Sequence, residues 1–316
     1  MKSLVGYTGF VGSNIASQFG FDGLYNSSNI EQAFGTAPEL LVFAGIRAEK
    51  FLANKDPQGD LAIIENAYEN IRKISPGFLV LISTIDVYKN PVEVDEDSPV
   101  DVDGLLPYGK NRFYLEQLIQ GSGIPHLIVR LPGLFGQGLK KNFIYDLINV
   151  IPQTLTEAKF EELRHIGLDA HYSLQPTGFY TCNALSDDDR ASLKRKFTDF
   201  GFTALNFTDS RSVFQFYGLQ YLWGHIQKAM ELGINLLNVA VEPLSVAEIY
   251  SSVKSDSFIN EISSSPPYYD FRTKHSAAFG GKDGYIFSKD EVLRDIEGFL
   301  SCKELGNRGH GTGDRE

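Results

Sequence analysis

Cysteine is nearly absent from the chain: Cys182 and Cys302 are its only two. Two thiols so far apart in sequence cannot build a disulfide framework or a Cys-rich metal centre, so no metal is expected and a reducing cytoplasm is the expected compartment. Long apolar runs are missing as well. None is long enough to cross a bilayer, so no membrane partner is expected. The opening residues, MKSLVGYTGFVGSNI, carry one Lys and some apolar side chains, but their glycines, Thr8 and Ser13 interrupt any signal-peptide core. Positive charge is also scarce: 29 Lys and Arg stand against 40 Asp and Glu, a formal net charge of -11. Non-specific nucleic-acid binding needs a basic face, so no nucleic-acid partner is expected. An anionic small molecule can still be held by helix N-termini and a few local cations.

What the chain does have is ordinary for a packed protein. Its 316 residues, 42% apolar and 22% charged, suffice for one large α/β unit or for two lobes. Short apolar runs at 3–7, 24–25, 40–44, 78–83 and 127–130 read as strands. Between them, 11–19 and 60–74 carry helical spacing, the second with Leu61, Ile64, Ala67, Tyr68 and Ile71 on one face. Strands alternating with helices predict a parallel, doubly wound sheet. After Leu131 the rhythm weakens. Residues 142–150 read as an amphipathic helix, and 151–207 fit the α/β pattern poorly. Within that stretch, LSDDDRASLKRKF starts with a Ser186 cap and an acidic first turn and ends in Lys and Arg, a helix with both ends matched to its dipole. Residues 235–241 return to strand character, a helix follows from about Ser245, and 290–300 is a last amphipathic helix.

The sharpest signal is Gly6-Tyr7-Thr8-Gly9-Phe10-Val11-Gly12, placed after the first strand and before the first helix. Gly6 permits a tight turn, Gly9 lets backbone approach a pyrophosphate, and Gly12 lets helix pack on strand. The helix N-terminus then offers free N–H groups to a dinucleotide. A ribose-binding acid is expected about 20 residues on. Here Tyr25 is followed by Asn26, Ser27 and Ser28, which would tolerate a 2′-phosphate or else serve only as turn formers. Arg47, after the third strand, is a candidate cation for such a phosphate.

Two further segments fall where strands end, the edge at which catalytic groups of open α/β sheets gather. Ser83-Thr84-Ile85-Asp86-Val87-Tyr88 puts Thr84 at one such end, and Pro107-Tyr108-Gly109-Lys110-Asn111-Arg112 opens a helix. Taken alone, Tyr108 fits a packed aromatic, Thr84 an ordinary strand-end hydroxyl and Asp86 a capping or loop carboxylate.

The motifs GYTGFVG, STIDVY, VDEDSP, PYGKNRFYLE and RLPGLFG, in this order over residues 1 to about 140, resemble the extended short-chain dehydrogenase/reductase family. The likeness is to its nucleotide-sugar epimerase, dehydratase and reductase branch. It implies a Rossmann-like NAD(P) domain over 1–140, with 208–250 returning to it. It also implies a smaller, mixed substrate lobe over 141–207 and 251–302; the polar, glycine-rich composition beyond it reads as a disordered tail over 303–316. By position, Tyr108 takes the place of the catalytic acid/base and Thr84 that of its hydroxyl partner. The family's YxxxK has Arg112 in place of the lysine, still one helical turn from Tyr108 but a planar fork rather than a compact ammonium. Lys110, two positions on, points elsewhere. The implied cofactor set is Gly6, Thr8, Gly9, Phe10, Val11, Gly12, Asn26, Ser27, Ala44, Gly45, Arg47, Tyr108 and Arg112. NADP is mildly preferred over NAD.

The resemblance is incomplete elsewhere. A helix asparagine of the family falls at Ala62, and a later aspartate at Gly218. Ile85 stands where sugar 4,6-dehydratases carry an aspartate, which disfavours that reaction. Asn142 and Arg211 are the implied contacts to a nucleotide sugar, with Asn142 equally a helix N-cap and Arg211 equally a surface ion pair. Three functions follow: an NAD(P)-dependent epimerase or oxidoreductase of a nucleotide-linked sugar, a catalytically silent NAD(P)-binding protein, and a reductase of a small ketone. The resemblance leaves room for a homodimer.

Overall fold

The structure is a computed structural model that describes residues 1–308; of the tail expected to be disordered over 303–316, residues 303–308 instead continue the last helix, and 309–316 lie outside the described residues. The strands, in chain order, are β1 (Lys2–Val5), β2 (Gly23–Tyr25), β3 (Leu40–Phe43), β4 (Leu79–Thr84), β5 (His126–Leu131), β6 (Gly133–Phe135), β7 (Thr154–Thr156), β8 (Tyr172–Leu174), β9 (Phe179–Cys182), β10 (Val213–Phe214), β11 (Phe216–Gly218), β12 (Leu236–Asn238) and β13 (Leu244–Ser245). The helices are α1 (Phe10–Gln18), α2 (Lys50–Lys55), α3 (Pro57–Ile74), α4 (Pro107–Gln120), α5 (Phe143–Ile148), α6 (Glu157–Leu163), α7 (Asp187–Phe200), α8 (Leu222–Glu231), α9 (Val246–Lys254) and α10 (Lys289–Arg308). Two compact units result. The first is Met1–Leu139, Val213–Leu244 and Pro267–Phe299, and the second, among the described residues, is Lys140–Ser212, Ser245–Pro266 and 300–308. Residues 267–299, read from sequence as part of the substrate lobe, thus belong to the first unit.

The first unit is a six-stranded sheet in the order β12-β5-β4-β3-β1-β2, parallel at every pairing. It is the Rossmann-like α/β arrangement predicted from the alternation of strands and helices. Strand β3 (LLVF) is buried at every residue, as a strand covered on both faces must be. Helix α3 packs on α4, and α1 on α8. Ile64, Ala67, Ile71 and Ile74 of α3 meet Leu41, Phe43, Leu79 and Leu81 of the sheet in one buried cluster. Helix α3 starts three residues before the sequence reading placed it. Asp56 caps it through a bond from the Gly59 N–H, with Pro57 in the first turn, where its missing N–H costs nothing.

The second unit explains why 151–207 lacked α/β rhythm. Strands β7, β9 and β8 form a small antiparallel sheet, and α6 and α7 supply Phe160, Leu163, Leu193 and Phe197 to a core with Leu155, Leu168 and Tyr172. Ser186 caps α7 as expected, by a bond from the Asp189 N–H. The helix runs a turn past its basic residues, to a left-handed Gly201.

Candidate active site

Two glycines of the cradle, Gly6 and Gly12, could not be replaced without collision. Strand β1 ends at Val5, and Gly6 turns the chain with φ +91°. A Cβ on Gly6 would lie 2.4 Å from the Ala44 carbonyl oxygen and 2.8 Å from the Gly45 nitrogen. The Gly6 N–H bonds to the Tyr25 carbonyl at 2.7 Å, and the Ala44 N–H to that of Val5 at 2.9 Å. The ends of β1, β2 and β3 are therefore gathered where the strand order reverses, the crevice at which open α/β sheets take ligands. A Cβ on Gly12 would sit 2.1 Å from the Gly6 carbonyl oxygen, so α1 closes tightly on the turn.

Gly9 differs. It is the exposed N-cap of α1, no side chain caps the helix there, and no acid lies in its first turn. A Cβ on Gly9 would meet only the Gly6 carbonyl oxygen, at 3.3 Å. Thr8 is exposed beside it, with Phe10 and Val11 half-buried. An open helix N-terminus flanked by a gap that side chains would fill fits a pyrophosphate.

At the end of β2, Asn26 is engaged in a turn: its side-chain oxygen accepts from the Ser28 N–H (2.9 Å) and hydroxyl (2.6 Å). Ser27 is exposed, as are Gly45 and Arg47 beyond β3. No carboxylate follows Tyr25 before Glu31.

Thr84 closes β4, and its hydroxyl accepts from the Asp86 N–H at 3.2 Å. Tyr108 stands in the first turn of α4, only 7% exposed. Burial pushes its phenol above the ordinary range. The Arg112 guanidinium opposes this, Asp86 reinforces it, and a hydrogen bond with Thr84 and the charge of Lys50 oppose it more weakly. Thr84 and Tyr108, far apart in sequence, are thus brought together.

Arg112 is engaged by groups of the protein itself. Its guanidinium lies 4.0 Å from the centroid of the Tyr108 ring, and the residue is 5% exposed. Its nitrogens donate to Asp60 Oδ2 (2.5 Å), to the Arg47 carbonyl (2.9 Å) and to the Tyr108 carbonyl (3.3 Å). Asn111 also donates to Asp60, at 2.8 Å. The buried partner of Arg112 is therefore Asp60, a residue that sequence reasoning passed over as part of an ordinary helix start. Ala62, the position compared with the family asparagine, is exposed.

A second cluster was also missed. Asp86 is more than a loop carboxylate: its Oδ1 accepts from Lys50 Nζ at 2.8 Å and from the Tyr269 hydroxyl at 3.0 Å. Burial alone would lower Lys50, but Asp86 and Tyr269 outweigh it and hold the ammonium above its usual value. Desolvation, then Asp86, pushes the Tyr269 phenol up. The sequence signal was faint, since Lys50 lies in AEKFLANK, which reads as a polar connection.

In the second unit, Asn142 takes up the N-cap alternative. It caps α5 by accepting from the Tyr145 N–H at 3.1 Å, with φ +105°. Arg211 is an ion-paired side chain, held by both carboxylate oxygens of Asp209 (3.0 and 2.8 Å) and by Glu261 (3.1 Å).

No protein-family model and no curated protein sequence matches the chain. Solved structures do match it. A dTDP-4-dehydrorhamnose reductase from Bacillus anthracis, in complex with NADP, is 15% identical, over 95% of this chain and 98% of the other, with a TM-score of 0.61. The Bordetella bronchiseptica enzyme WbmG, in complex with NAD and UDP, is 16% identical, over 89% and 87%, with a TM-score of 0.58. A UDP-galactose 4-epimerase is 14% identical, over 96% and 100%, with a TM-score of 0.59. The chain shares their fold. Among the described residues, no helix is long and apolar enough to cross a membrane.

Proposed function

We propose that the chain is an NAD(P)-dependent enzyme of the extended short-chain dehydrogenase/reductase family that reduces a ketone on a nucleotide-linked sugar, epimerisation being the alternative outcome. The observation that carries this is the Thr84–Tyr108 pair at the end of β4, in the same sheet as an open glycine cradle at the end of β1. Gly6, Thr8, Gly9, Phe10, Val11 and Gly12 would hold the pyrophosphate, with Ala44 and Gly45 walling the crevice. When bound, the cofactor supplies or accepts a hydride. Tyr108 holds a proton on its phenol oxygen, because burial disfavours the phenolate. A protonated phenol is the form that donates to the oxygen of a ketone as it is reduced. Thr84 would orient the same oxygen by hydrogen bonding.

With no acid at the β2 end, NADP is the preferred cofactor, Ser27 and Arg47 being the proposed contacts to its 2′-phosphate. Titration with both cofactors checks this. Asn142 and Arg211 are the proposed nucleotide contacts of the second unit. Arg211 could release the exposed Glu261 to meet a phosphate while keeping Asp209.

The test is oxidation of NADPH in the presence of dTDP- or UDP-linked keto sugars. Tyr108→Phe should abolish turnover and leave cofactor affinity nearly unchanged. The neutralisation of Arg112 by Asp60 favours one competing reading, a cofactor-binding protein without turnover. Cofactor binding without NADPH oxidation for any keto sugar would establish that reading instead.

A further inference from the structure

We propose that Lys50 is a positioning residue for Tyr108, whose ammonium neutralises Asp86 and so keeps the Tyr108 phenol able to release its proton. This deepens the proposed function and rests on Tyr108 as the proton donor.

The charges facing Tyr108 come from four elements. Arg112 of α4 lies over its ring. Asp86 follows β4 directly, and Thr84 ends that strand. Lys50 opens α2. Behind them, Asp60 of α3 takes the charge of Arg112, and Tyr269 shares Asp86 with Lys50. Two cations thus face two carboxylates. The Arg112–Asp60 pair is closed, with both side chains almost fully buried. Of the charges acting on the Tyr108 phenol, Arg112 favours its ionisation most strongly, Asp86 opposes it, and Lys50 favours it more weakly.

The Lys50–Asp86 pair is the open one, the lysine side chain being 46% exposed. Asp86 works against ionisation of Tyr108 and Lys50 favours it. The lysine is not a chance surface partner, because α2 is docked: the Tyr108 N–H bonds to Asn54 Oδ1 of the same short helix at 2.9 Å. An ammonium has three donors, of which Asp86 (2.8 Å) and the Tyr269 hydroxyl (3.4 Å) take two. If Lys50 is removed, Asp86 becomes an unpaired carboxylate beside a buried phenol. If Asp86 is removed instead, Lys50 becomes an unpaired cation there. A single charge a few ångströms from a buried group moves its titration by about one pH unit or more.

The experiment follows phenolate formation at Tyr108 in the free protein, by ultraviolet absorbance during a pH titration, each variant being compared with its Tyr108→Phe counterpart. Asp86→Asn should lower the midpoint by about one pH unit. Lys50→Met should raise it, or remove ionisation from the accessible range. The Lys50→Met/Asp86→Asn double variant should return close to wild type, and Lys50→Arg, which keeps the charge, should stay there. Single variants that shift in the same direction, or not at all, overturn the proposal, as does a double variant that fails to restore the midpoint. A merely structural role would give additive damage and no restoration. Because no substrate is used, absence of turnover would count against the enzyme reading without touching this result.

Discussion

Gly9 and Gly12 are three residues apart and respond oppositely to an added side chain. At Gly12 a Cβ would lie 2.1 Å from backbone, so any substitution forces α1 away from the turn and should lower stability together with binding. At Gly9 the added atoms enter the open cradle. Gly9→Val is therefore expected to fold, with an unchanged melting temperature, and to lose dinucleotide binding by calorimetry; retained affinity would remove the basis of the cofactor reading. Arg112 gives a second residue-scale expectation. Arg112→Lys should lose the guanidinium that lies over the Tyr108 ring and part of the contact with Asp60, since an ammonium is a point charge rather than a fork. The proposed enzyme should keep NADPH-dependent turnover in this variant, whereas Arg112→Ala leaves Asp60 buried and unpaired and should both destabilise the protein and weaken cofactor binding. The glycine spacing, Thr84 and Tyr108 could be singled out in the sequence because each belongs to a local pattern. Asp60 and Lys50 could not, because their roles exist only once α2, α3 and α4 are packed together.

The elements that bear Thr84 and Tyr108 are locked to each other by buried charge. Glu116, on α4 two turns beyond Tyr108, is fully buried. It accepts from Arg130 Nη2 at 2.6 Å and Nε at 3.1 Å, on β5, and from the Ser83 hydroxyl at 2.5 Å, on β4. Arg130 continues to the Tyr88 hydroxyl at 2.7 Å. Helix and strands are thus held in one register, with the hydroxyl of Thr84 one residue past the clamp. Glu116→Gln removes one charge of a buried pair and leaves the other uncompensated, which should cost about 3–5 kcal/mol in urea unfolding. Glu116→Gln/Arg130→Met should recover part of that loss, since the unpaired charge is then gone. At this scale the sequence was informative wherever a period was long. The 3.6-residue spacing of α3 and the apolar runs of β3, β4 and β5 located their elements to within a few residues. Helix α2 is one and a half turns long, too short for a period to show, and was missed. In LIVR, Arg130 looked like the polar end of a strand because nothing local reveals a partner 14 residues away.

For the whole molecule, the net charge of -11 means that any affinity for an anionic cofactor comes from local geometry, the open end of α1 above all, and not from the overall field. Two half-buried groups with opposite linkage shape the response of stability to pH. Burial, with a smaller contribution from Lys228, holds His225 of the first unit down at about 4, below its usual 6.5. The unfolded chain then binds the extra proton between those values. This group contributes stability that is complete above pH 6.5 and is lost as pH falls toward 4. Asp146 of the second unit runs the other way. Burial lifts its carboxyl from 3.8 to about 7, so the folded state binds the proton across that window. Its penalty is absent below the unfolded value and grows as pH rises through the folded one, reaching about 4 kcal/mol near neutrality. Over the shared range the two effects oppose, so the wild-type melting temperature should vary little between pH 4 and 6.5. Asp146→Asn removes only the second effect. It should leave stability near pH 4 almost unchanged and raise it progressively toward pH 7, exposing the acid-side loss caused by His225. Calorimetric scans of both proteins across this range check the expectation. A variant gap that stays constant with pH would show that Asp146 ionises as freely in the folded chain as in the unfolded one.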